Sequence, residues 1–214
     1  MSVAARRYRG MVCLGCHTAS AAVLCRSCIG SLRPAPDRLL PEGIPLVAGF
    51  EHQGPAKSLI HHLKYRGVTV FAEVVADTLA DRLPRVPLVP VPRALSRRLK
   101  YGVDPAQVLA TALSRRIGVP VLEALIAPLH SSRRAGRDHS RRVAPFRTRW
   151  SLRSPVIVVD DVVTTGSTVT AVVKSIGSEV VATVAAANVV TRAAVADVAG
   201  QTLSGTGLTW GSSD

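Results

Sequence analysis

The chain has 214 residues, 47% of them hydrophobic and only 4% aromatic, and its 27 Lys and Arg outweigh 14 Asp and Glu to give a formal net charge of +13. That length supports one substantial core, with room for a small appendage but not for two full-sized domains. No run approaches the ~18 apolar residues of a membrane span, and the start MSVAARRYRG lacks the apolar centre of a secretory signal, so a cytoplasmic protein is expected.

The first feature along the chain is CLGCHTASAAVLCRSC, which holds all four cysteines. Cys13, Cys16, Cys25 and Cys28 form two C-x-x-C pairs with eight residues between them. Each pair can present two thiolates to one metal from a tight turn, and two such turns complete a tetrahedral site. Zinc is the expected structural ion, because disulfides are disfavoured in the cytosol; an iron–sulfur centre and redox-active or free thiols are the alternatives, and His17 offers a substitute ligand. A unit this small buries too little to fold alone, so the metal, worth ~10–16 kcal/mol in zinc-finger peptides, would stabilise it. The Pro-rich connector RPAPDRLLPEGIP follows, and it places a boundary near Pro45: a metal-binding unit with its connector over 1–44, then a main domain over 45–195.

LVAGFEH reads as a strand and GPAKSLIHHLKYRG as a helix with Leu59, Ile60 and Leu63 on one face. VTVFAEVVADTLADRL reads as a second helix, and VPLVPVP as a short buried strand that ends in a proline-stiffened loop. In DPAQVLATALSRRIG, Asp104 is an N-cap, Pro105 the first helical residue and Gly118 the stop. VPVLEAL is a further short strand. HSSRRAGRDHSRRVAPFRTRWSLR shows neither helical nor strand periodicity and reads as a long loop with room for a hairpin. A strand over 156–159, a helix over 168–176 and a strand over 180–190 complete an alternating pattern, and a Gly/Ser/Thr-rich tail closes the chain over 196–214. The alternation predicts an α/β fold with a mainly parallel sheet flanked by helices.

The last strand–helix unit carries the most chemistry. If VIVV is a buried strand, Asp160 and Asp161 stand at its carboxyl end, where open α/β sheets bind ligands. The turn that follows, Thr164, Thr165, Gly166, Ser167 and Thr168, leads backbone N–H groups and hydroxyls into a helix start, a cradle for phosphate. Carboxylates repel phosphate, so the acidic pair suits neighbouring hydroxyls, such as a ribose diol, or a hydrated Mg²⁺. A molecule with a 5-phosphate, a diol and a metal-binding pyrophosphate meets all of these demands.

VIVVDDVVTTGST resembles the phosphoribosyl pyrophosphate (PRPP) signature of type I phosphoribosyltransferases. The order of a four-cysteine head, LIHHLKYRG, LVPVP and that motif resembles the ComF family of competence-associated proteins over roughly residues 11–190. The resemblance implies a phosphoribosyltransferase-like domain with an N-terminal zinc unit. It further implies PRPP or a related phosphorylated ribose as ligand, Mg²⁺ bound with it, and a part in handling single-stranded DNA during uptake, alongside other competence or DNA-processing proteins. YGVDP stands where the family carries Arg-Gly-Phe-Asn-Gln, and Thr164 stands where purine-using relatives carry an acid, which argues against purine salvage.

Three further features bear on function. In VPVPR, the backbone N–H groups of Val91 and Arg93 and the Arg93 guanidinium are candidates for a pyrophosphate contact, although the segment also reads as a proline-terminated strand end. Lys64 ends a helix, where it could reach a phosphate or only complement the helix dipole. Residues 131–153 hold eight arginines and one acid, and Arg133, Arg134, Arg141 and Arg142 with Phe146 and Trp150 are candidates for contacting phosphates and stacking on unpaired bases; a solvated loop is the alternative. The sequence thus supports a PRPP-binding transferase, a nucleic-acid-binding module that keeps the fold without its chemistry, or an assembly partner.

Overall fold

The computed structural model describes residues 12–129, 146–177 and 179–189. The cysteine segment ends in a short helix, α1 (Arg26–Gly30), and the connector contributes a two-residue strand, β1 (Arg38–Leu39). There follow β2 (Pro45–Glu51), α2 (Gly54–Arg66), α3 (Val70–Leu79), β3 (Leu88–Pro90), α4 (Leu95–Tyr101), α5 (Pro105–Ile117), β4 (Leu125–Ile126), β5 (Arg147–Thr148), β6 (Val156–Val163), α6 (Ser167–Ile176) and β7 (Val180–Asn188). Five strands form one sheet in the order β1-β2-β7-β6-β3. The pairs β2–β7, β7–β6 and β6–β3 are parallel, and β1 closes one edge antiparallel to β2. The fold is therefore α/β with a mainly parallel sheet.

Helices cover both faces of the sheet, which is why its strands are apolar without alternating with polar residues. Ile157 and Val159 point into a core shared with α2, α3 and α5, while Val156 and Val158 point to the opposite face and meet Val172 and Ile176 of α6. The cysteine unit joins the first of these cores: Cys13, Leu14, Val23, Leu24 and Cys28 are buried together with Leu59, Ile60 and Phe71. Phe50 and Phe71 stack with ring centroids 5.9 Å apart, a pairing worth ~0.5–1.5 kcal/mol beyond the area buried.

Several elements differ from the sequence expectation. VTVFAEVVADTLADRL does not run as one helix: α3 stops at Leu79, a 3₁₀ turn spans Ala80–Arg82, and Leu83 is already extended because Pro84 follows it. α4 was not expected, since LSRRLKY has no buried residue to give it an amphipathic signature. Residues 147–148 of the Arg-rich segment form β5, which pairs with β4, while residues 130–145, where a hairpin had room, lie outside the described residues. The acidic strand runs four residues farther than 159 and takes both aspartates into β6. Among the described residues, no helix is long and apolar enough to cross a membrane.

Candidate functional site

The four sulfurs converge. All lie within 4.8 Å of one another, and Cys16 Sγ and Cys25 Sγ are 3.7 Å apart. Tetrahedral coordination with metal–sulfur bonds of ~2.3 Å requires sulfur–sulfur edges of ~3.8 Å, so the cage has the size of a single ion. The N–H groups of Gly15 and Cys25 each donate to Cys13 Sγ at 3.3 Å, the contact expected of a sulfur that carries negative charge. Gly15 is required here, because a Cβ at that position would lie 2.7 Å from Cys28 Sγ. The Thr18 hydroxyl and backbone bring the Cys16 thiol down to about 6, whereas burial and the three neighbouring sulfurs push Cys28 up. A cluster that resists losing its last proton is one that a divalent cation would complete, and the four thiols can hold a metal such as zinc. His17 is turned toward another partner, with its ring 5.7 Å from that of His62.

At the other site, β6 carries Asp160 and Asp161 to the carboxyl end of the parallel strands. Asp160 accepts a hydrogen bond from the Asp161 N–H at 2.7 Å, and Asp161 pairs with Lys64 Nζ at 3.0 Å. Burial first, and then the neighbouring Asp161 charge, push the Asp160 carboxyl up to about 7. A third carboxylate, Asp104, is also raised by burial; its Oδ2 accepts the Arg93 N–H at 2.9 Å while its Oδ1 is buried without a partner. The site thus concentrates acids faster than it neutralises them, and Lys64 is the only cation that an ion pair brings to the aspartates among the described residues.

Immediately after β6 the chain turns through Thr164–Thr165–Gly166 into α6. Gly166 has φ +81°, and a Cβ there would come within 3.1 Å of the Leu40 side chain, so the turn needs glycine for both its conformation and its space. Thr165 Oγ1 accepts the Ser167 N–H at 3.4 Å. Asp160, Thr164, Gly166, Ser167 and Thr168 line a small recess open to solvent. A second, wider recess, also open to solvent, is lined by Lys64, Tyr65, Arg93, Arg97 and Asp161. The structure therefore gathers the predicted acidic pair, the hydroxyl loop and Lys64 at one end of the sheet.

The VPVPR groups are arranged differently from the expectation. The Val91 N–H donates to the Val159 carbonyl at 2.8 Å as part of the sheet, and the Arg93 N–H is held by Asp104, so neither faces open space. The Arg93 guanidinium donates to the carbonyls of Lys64 (2.6 Å) and Val103 (3.1 Å) and lies over the rings of Tyr65 and Tyr101. Arg93 pins the end of α2, and so fixes the base of Lys64, while its side chain forms part of the wall of the wider recess. The N-cap carboxylate of α5 serves the same loop, a pairing across eleven residues that helix-start rules do not signal.

Sequence reasoning missed Arg38. On the edge strand β1, its guanidinium donates to Asn188 Oδ1 from Nε (3.2 Å) and Nη2 (3.0 Å), and Nη2 also donates to the Thr164 carbonyl at 2.5 Å. Nothing in RPAPDRLLPEGIP marks it, because its partners are 126 and 150 residues away. Of the candidate nucleic-acid residues, Trp150 is 48% exposed and Phe146 packs against the α6 core, while Arg133, Arg134, Arg141 and Arg142 lie outside the described residues. No protein-family model matches this sequence, and no curated protein matches it.

Proposed function

We propose that the end of β6 and the start of α6 bind PRPP, or a related 5-phosphorylated ribose, and that the protein is phosphoribosyltransferase-like. The observation that carries this reading is the recess shared by Asp160 and the 164–168 turn at the carboxyl end of a parallel sheet. In this reading Asp160 and Asp161 accept hydrogen bonds from the ribose hydroxyls, and the backbone N–H groups of the Gly166 turn take the 5-phosphate. The donor set also fits Mg²⁺: a carboxyl held at about 7 by burial and by a like charge regains its ionised form beside a cation or hydroxyl donors. When bound, Mg²⁺ supplies positive charge to the pyrophosphate. The chain's own contribution is to hold the sugar and to place two carboxylates where positive charge develops at its C1 atom, a stabilisation that requires no covalent intermediate on the protein. Lys64, already on Asp161, is with Arg93 and Arg97 a cation that an anionic ligand would meet in the wider recess.

The cysteine cage, in the same reading, holds structural zinc, and the sequence resemblance to the ComF family supports a role in DNA uptake or single-stranded DNA handling with other proteins of that process. The test is calorimetric titration of PRPP with and without Mg²⁺ against the wild type and the Asp160→Asn, Asp161→Asn double variant. Two charge-assisted contacts at ~1.5–3 kcal/mol each predict a loss of at least ~100-fold. Equal affinities, or no binding to the wild type, would refute the reading.

A further inference from the structure

We propose that Arg38 is a positioning residue of the 164–168 loop, supplying the positive charge and holding the loop geometry that let it accept a dianionic phosphate. The inference rests on the reading of that loop as a phosphate site. Three observations support it.

First, Arg38 is half-buried, burial lowers its pKa, and among the described residues no carboxylate forms an ion pair with it. The preceding residue, Asp37, pairs with Arg82 instead. A guanidinium stays charged even when partly desolvated, so a half-buried one that meets only neutral acceptors leaves its field uncompensated. Second, its Nη2 bonds the Thr164 carbonyl at 2.5 Å. A carbonyl oxygen turned toward a phosphate would repel it. Tying this carbonyl to a cation fixes its direction and offsets its negative end next to the turn where the ligand phosphate would sit. Third, the anchor is rigid. Asn188 is fully buried at the end of the β7 strand, its Oδ1 receives both Nε and Nη2, and its Nδ2 has no partner in the protein. The neighbouring Leu40 side chain packs over Gly166, so the connector forms one wall of the loop.

Affinities for ribose 5-phosphate and PRPP are measured for the wild type, Arg38→Gln and Arg38→Lys, with unphosphorylated ribose as control. Arg38→Gln keeps a donor but removes the charge, and it is expected to weaken both phosphate ligands about tenfold by a common factor, with partial recovery in Arg38→Lys. Because a phosphate monoester loses its second proton near pH ~6, wild-type affinity for ribose 5-phosphate should strengthen from pH 5 to 7, and that rise should flatten in Arg38→Gln; a merely structural role would not change the slope. Should Arg38→Gln fail to fold, Asn188→Asp retains the acceptor but gives the guanidinium a counter-charge, and is expected to weaken phosphate binding while leaving the loop in place. Wild-type affinity and slope in the folded variant overturn the role of Arg38 and leave the PRPP reading standing. A wild type that binds neither phosphate ligand overturns both.

Discussion

Asp160 is where the cost of the site is concentrated. Its carboxyl rises from an ordinary 3.8 to about 7 because burial and Asp161 both oppose its charge, with only the Asp161 N–H and the more distant Lys64 acting against them. The folded state therefore holds this proton more tightly than the unfolded state does. The resulting stability is fully present below about pH 4 and is lost as pH rises through about 7. Asp160→Asn, which keeps the acceptor for the Asp161 N–H, is expected to melt several degrees above the ligand-free wild type at pH 8, since each pKa unit is worth ~1.4 kcal/mol. At pH 4 the two should melt together. Thermal scans across that range check it, and a variant less stable than the wild type at pH 8 would mean that the carboxylate contributes more through Lys64 than it loses by burial.

Among the elements, the β6–α6 turn depends on a segment distant in sequence. Gly166 combines a left-handed backbone with contact against Leu40 of the connector. Gly166→Ala is expected to cost ~1–3 kcal/mol, from the positive φ and from the displacement of Leu40 by the added methyl. Urea unfolding gives that number. PRPP titration on the same protein should show weaker binding, because moving Leu40 also disturbs Arg38 two residues away. A stable variant with unchanged affinity would mean that the connector merely covers the turn. α2 and the VPVPR loop form a comparable pair: Arg93 bonds the last turn of α2, so the position of Lys64 depends on a residue 29 positions away.

For the whole molecule, the cysteine unit is built into the main core rather than attached to it. Leu14 and Leu24 are buried with Leu59, Ile60 and Phe71, and the Ser58 hydroxyl donates to the Leu14 carbonyl at 2.8 Å. Loss of metal should therefore unfold more than sixteen residues' worth of structure. Purified protein is expected to carry about one zinc ion per chain on four thiolates. Chelation, or Cys13→Ser, should lower both metal content and the melting temperature of the entire domain, followed by metal analysis and by circular dichroism of the helices. An unchanged melt after complete chelation would reduce the unit to an appendage.

The amino-acid sequence alone determined the chemistry that is local. Two C-x-x-C pairs, an apolar run ending in two aspartates, and hydroxyl residues around one glycine are all contained in short windows, because a tight turn or a strand end is specified by its own residues. The mainly parallel sheet was legible from the alternation of strand and helix segments, and its central strands open on the apolar runs VIVV and VVA that doubly covered strands require. Tertiary structure alone decided which groups act on which. It set Arg38 on Thr164 and Asn188, committed the N–H groups of Val91 and Arg93 to Val159 and Asp104, and placed Lys64 on Asp161. Each of these contacts joins residues separated by eleven to 150 positions, and such pairings follow from strand order and helix packing, which no periodicity encodes.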